Sequence, residues 1–62
     1  MNAVRDKKFL KKRYMQMLKD EIFLSGFVEV LESAGDRQGA SLVREKLYKL
    51  RNSRLQLKEL IS

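Results

Sequence analysis

The sequence contains no cysteine, no histidine, no proline and no tryptophan, and only three glycines. Each absence excludes something. Without cysteine no disulfide can staple the chain. Without cysteine and histidine together, the usual zinc sites, haem ligation, thiol nucleophiles and histidine-based triads are gone. Long apolar runs are missing as well. The longest is Ile22-Phe23-Leu24, far below the ~20 residues that cross a bilayer. The early charges Arg5, Asp6, Lys7 and Lys8 are followed by no apolar stretch that could act as a secretory signal. The expectation is a cytoplasmic protein with no membrane partner. A phosphate-cradling glycine loop, a carboxylate pair and a metal-ligand cluster are also lacking. No enzyme, cofactor or metal is therefore expected.

What is present is charge and apolar surface. The 62 residues are 44% hydrophobic and 35% charged, with a net charge of +6. That is too apolar for a disordered tail. It suits a single domain over residues 1–62, and chains of about 60 residues bury only ~60% of their unfolded surface. Small domains without metal or disulfide gain burial from helix packing and oligomerisation.

Turn signals gather in one place, Ser33-Ala34-Gly35-Asp36-Arg37-Gln38-Gly39. On either side the apolar residues step by three and four. Leu10, Tyr14, Met17, Glu21, Leu24, Val28 and Leu31 form one stripe, and Ala40, Val43, Leu47, Leu50, Arg54, Leu57 and Ile61 form another. Such steps hold residues on one face of a helix, and their seven-residue repeat gives the narrow seam of coiled-coil packing. The reading is a helix over about residues 3–33 and a second over about 37–61. Gly35 suits a left-handed end to the first, and Asp36 or Ser41 a cap on the second.

The stripes match when the chain doubles back. Leu31 falls level with Ala40, Val28 with Val43, Leu24 with Leu47, and so on to Leu10 with Ile61. Every pair of numbers sums to 71. This constancy predicts an all-α, antiparallel helical hairpin. Glu21 and Arg54, the two charged residues of the stripes, lie one layer apart and can meet as a salt bridge or reach out to solvent. The segment Ile22–Leu31 is rich in aromatic and β-branched residues, but it has no second strand to pair with. A bend or break at Ser25-Gly26 is the competing expectation there. A helix-turn-helix over Phe27–Leu50 is a further alternative, which the apolar spacing fits less well.

Ten large apolar residues lie off the stripes: Phe9, Leu18, Ile22, Phe23, Phe27, Val30, Leu42, Tyr48, Leu55 and Leu60. One hairpin cannot cover them, and an exposed patch of that size marks an interface. Two hairpins joined in a four-helix bundle would cover most of it. Phe23, Phe27, Val30, Tyr48 and Leu55 are the residues expected at this dimer or partner interface. Charge is segregated: residues 1–19 carry +6, residues 20–45 carry −4 and residues 46–62 carry +4. Loops at opposite ends of a homodimer would set each acidic loop beside the partner's basic end.

Lys7, Lys8, Lys11, Lys12 and Arg13 crowd one short stretch, and Arg51 and Lys58 approach the same end. Such a cluster suits phosphate contact, and Phe9 and Tyr14 among the bases could stack on a nucleobase. In the competing readings the lysines are a solvated face, or the basic helix lies on a membrane surface. A nucleic-acid-binding regulator is the expectation, with RNA and DNA both open. A protein-binding adaptor or inhibitor acting through the apolar face is the alternative. In length and hairpin plan the chain resembles the small plasmid-encoded RNA-binding regulators of the Rop type, a likeness that implies a four-helix-bundle dimer. Lys49-Leu50-Arg51-Asn52-Ser53-Arg54 also resembles the basic stretch in the two-helix protein of the large ribosomal subunit.

Overall fold

The computed structural model describes residues 3–61, with side chains from residue 7 onward. Two helices make up almost all of it, α1 over Ala3–Ser33 and α2 over Arg37–Ile61. They pack against each other as an antiparallel hairpin whose Cα atoms span 50 × 15 × 14 Å. None of the described helices is long and apolar enough to cross a membrane.

The connection is short because one residue serves both helices. Gly35 has φ of +79°, a left-handed conformation that glycine adopts without a Cβ penalty. Its N–H donates to the Glu32 carbonyl at 3.0 Å, and the Asp36 N–H donates to the Leu31 carbonyl at 2.9 Å. Together these bonds form a Schellman closure, which satisfies carbonyls that the end of α1 would otherwise leave without partners. Asp36 then opens α2. Its carboxylate accepts from the Gly39 N–H at 2.8 Å, and its carbonyl accepts from the Ala40 N–H at 3.0 Å. Ser41 lies inside α2 and has no capping role.

The helix α1 runs unbroken through Ser25-Gly26. Gly26 keeps an ordinary helical φ and sits on the outer face, where an added Cβ would meet nothing within 4 Å. A single glycine inside a helix costs ~0.5–1 kcal/mol relative to alanine. Burial of Leu24 and Val28 on either side offsets that. The aromatic and β-branched stretch is helical for the same reason: its seam residues Leu24, Val28 and Leu31 find burial against α2, while Ile22, Phe23, Phe27 and Val30 stay exposed. The long lengthwise packing also excludes the compact helix-turn-helix.

All fourteen positions of the two stripes are buried or half-buried. Yet the core is thin. Among the described residues only Val28, Ala40, Leu47 and Leu57 are buried apolar side chains, with Ala40 the most enclosed at 1% exposure. Two helices have a single mutual contact line, so each seam side chain is covered on one side and open at its edges.

The double use of Asp36 yields a test. Replacing Asp36 with alanine is expected to destabilise the hairpin by about 1 kcal/mol. Gly39→Ala, which ordinarily gains about 1 kcal/mol in a helix interior, is expected to gain little. Its Cβ would overlap the Asp36 carboxylate and displace the cap. Urea denaturation followed by circular dichroism measures both.

Candidate nucleic-acid interface

The seam carries one polar layer. Glu21 is buried at 8% exposure, and a carboxylate so placed must be paired to be tolerated. Arg54 donates from Nε to Glu21 Oε2 and from Nη1 to the Tyr14 hydroxyl at 3.1 Å. The register explains this fork. Arg54 falls level with Met17, midway between Tyr14 and Glu21, so its guanidinium can serve both. Its Cζ also lies 5.5 Å from the Tyr14 ring centroid, within cation–π range. Arg51 adds a second, longer contact to Glu21 Oε1 at 3.4 Å. No buried side-chain polar atom among the described residues lacks a partner. The hydrogen bond to Glu21 raises the Arg54 pKa above its ordinary value, against an opposing effect of desolvation. The folded state thus binds that proton more tightly, and the stabilisation is present at every pH below the arginine range.

Around the seam the hairpin has two flanks of different character. On one, Glu32 and Arg44 pair across the helices at 3.0 Å. A hollow of about 270 Å³ lies beside that pair, walled by Glu29 and Glu32 of α1 and by Arg44, Tyr48 and Arg51 of α2. Helical periodicity continues this flank along α1 through Ile22, Leu18, Met15, Lys11 and Lys8, and along α2 through Leu55 and Lys58. The opposite flank holds a hollow of about 340 Å³ lined by Arg13, Gln16, Met17, Asp20 and Leu50. Its apolar residues lie toward the two ends. Phe23, Phe27, Val30 and Leu42 sit near the loop, with Phe23 and Phe27 ring centroids 6.5 Å apart, and Phe9 and Leu60 sit at the open end.

The structure therefore brings together some of the sequence-derived interface and separates the rest. Phe23, Phe27 and Val30 share one flank, and Tyr48 and Leu55 share the other. All five are exposed. Of the ten off-stripe apolar residues, nine are exposed and Leu18 is half-buried. Met15, which the stripe analysis left aside, is exposed too.

The basic residues divide similarly. Lys7, Lys8, Lys11, Lys12, Arg13 and Lys58 are all exposed, and none of them forms an ion pair with another described residue. On α1, Lys8 and Lys12 follow the outer face, Lys7 and Lys11 sit beside them, and Arg13 lies on the flank with Gln16 and Asp20. Arg5 and Asp6 lie outside the residues whose side chains are described. Arg51 differs from the rest: it is engaged with Glu21, and its Cζ sits 5.8 Å from the Tyr48 ring centroid. The spacing had a signal for this. Arg51 and Arg54 fall level with positions 20 and 17 of α1, both just to the open-end side of the layer that holds Glu21. Tyr14 is held in the polar layer, while Phe9 stands exposed among the bases.

Comparison with protein-family models, with curated proteins and with solved structures finds no match to the chain.

The two kinds of ion pair should differ in weight. Glu21→Ala would leave Arg54 and Arg51 without their shared carboxylate in a half-covered site, whereas Glu32→Ala removes one exposed pair of the sort that contributes ~0–1 kcal/mol. Thermal melts are expected to show a clearly lower Tm for Glu21→Ala and little change for Glu32→Ala.

Proposed function

We propose that this chain is a small, basic, non-enzymatic regulatory protein that binds nucleic acid as a homodimer, the two hairpins joining in a four-helix bundle. The observation that carries the reading is the open end of the hairpin. Five cations within residues 7–13 project there, without carboxylate partners among the described residues. Charges left unneutralised by the protein's own fold attract phosphates and release condensed counterions. Lys7, Lys8, Lys11, Lys12, Arg13 and Lys58 are the residues assigned to this contact. Arg51, committed to Glu21, contributes at most its outward edge.

The homodimer follows from thin burial. Ile22 at 74% and Tyr48 at 56% exposure exceed what a hairpin alone would leave in water without a covering surface. One observation favours a second reading, an adaptor or inhibitor that docks a protein on the loop-end patch of Phe23, Phe27, Val30 and Leu42. All four are exposed, and the Phe23 and Phe27 ring centroids lie 6.5 Å apart.

Mobility-shift titrations with RNA and DNA separate the readings. Nucleic-acid binding is expected to weaken steeply with salt, with a log–log slope of roughly −5 for about six phosphate contacts. The double variant Lys11→Glu with Lys12→Glu is expected to abolish it and to leave the helical content intact. Absence of binding at low salt would discard the regulator reading. Retention of a protein partner by the charge variant, with its loss on Phe27→Asp, would establish the adaptor instead.

A further inference from the structure

We infer that the second copy docks on the flank of Met15, Leu18, Ile22, Tyr48 and Leu55, with α1 laid antiparallel on the partner's α1 and the two loops at opposite ends. This rests on the homodimer reading and names the face it uses.

The placement of the apolar residues carries the inference. On this flank α1 presents Lys8, Lys11, Met15, Leu18, Ile22, Ser25 and Glu29, stepping by three and four. The apolar members lie in the middle, and Leu18 is the midpoint of the helix Ala3–Ser33. Tyr48 and Leu55 fall level with positions 23 and 16 of α1, so the α2 side of the patch is central too. A closed homodimer presents the same patch on both partners. A two-fold axis across the rod near Leu18 does so here. Leu18 meets the partner's Leu18, Met15 meets the partner's Ile22, and Lys8 comes level with the partner's Glu29. The same axis sets Tyr48 opposite the partner's Lys58 and Leu55 opposite the partner's Arg51.

The opposite flank fails this operation. There Gln16 and Asp20 occupy the middle of α1, with Lys49 and Ser53 level with positions 22 and 18, and the apolar groups other than Phe23 sit toward the ends. The same axis would bury those polar residues at the centre of the interface, where charged residues are depleted. Charge selects the orientation as well. With loops at the same end, the −4 segments would lie together and so would the two basic ends, whereas loops apart set opposite signs side by side. A flank about 50 Å by 15 Å also has the scale of a standard interface, ~800 Å² per partner.

The arrangement sharpens the nucleic-acid reading. Lys8, Lys11, Arg51 and Lys58 turn toward the partner, and Lys7, Lys12 and Arg13 remain for phosphate.

The absence of native cysteine makes the test direct, because any introduced thiol reports alone. After mild oxidation, Leu18→Cys is expected to run mostly as a covalent dimer, and Asp20→Cys, near the same axis but on the opposite flank, as a monomer. In sedimentation, Ile22→Asp is expected to dissociate the dimer, and its exposed position leaves the hairpin seam untouched. Lys8→Glu is expected to weaken the dimer by about three- to tenfold, the scale of exposed pairs, and Glu29→Lys added to it to restore the affinity. Efficient cross-linking through Asp20→Cys but not Leu18→Cys, or a dimer dissociated by Phe27→Asp but not Ile22→Asp, would overturn the choice of face and keep the homodimer. A wild-type chain that sediments as a folded monomer at micromolar concentration would remove both.

Discussion

Two helices packed together share one line of contact, and this geometric limit governs everything else in the hairpin. Each helix can turn only a narrow stripe toward the other. Side chains beside the stripe keep an open edge however well the seam is matched. The four buried apolar residues mark the centre of that line, and the large side chains beyond it face water. A larger fold would cover them with a third element. Here the shortage of internal burial and the surplus of external apolar surface have one origin.

Within that limit, the polar layer of Glu21, Arg54 and Tyr14 does something an apolar layer could not. Leucines on two helices can slide past each other by a heptad and still find apolar neighbours. A buried carboxylate cannot slide, because its two arginines come from fixed positions on α2. Moved by one repeat, Glu21 would face apolar side chains and the arginines would lose their acceptor. Single polar residues in coiled-coil seams fix register in this way at a cost in stability. Arg44 with Glu32, farther toward the loop, repeats the same register on the surface.

Much of this was legible in the residues. The helix limits, the doubling back at Gly35-Asp36 and the identity of every seam position follow from spacing, because a helical period and a constant pair sum leave little freedom. Three things were less legible. A bend or break at Gly26 is a competing reading of the sequence, but local propensity yields when flanking side chains are held by a neighbour. Arg51 looked like a free cation, since a count of charges does not show which carboxylate is buried beside it. The candidate interface of Phe23, Phe27, Val30, Tyr48 and Leu55 read as one surface. Its division between two flanks depends on where each residue lies around its helix relative to the seam. The basic cluster is legible directly in the composition of residues 7–13.

The economy of the turn also bears on how the molecule assembles itself in time. Because Asp36 ends one helix and starts the next, the segment that must be closed before the first interhelical contact is very short, and the entropy lost in closing it is correspondingly small. Val28, Leu31, Ala40 and Val43 can meet early, as near neighbours along the polymer. Each further pair then adds to a structure already begun. The cation-rich tips, which repel one another and lie farthest apart in the chain, come together last.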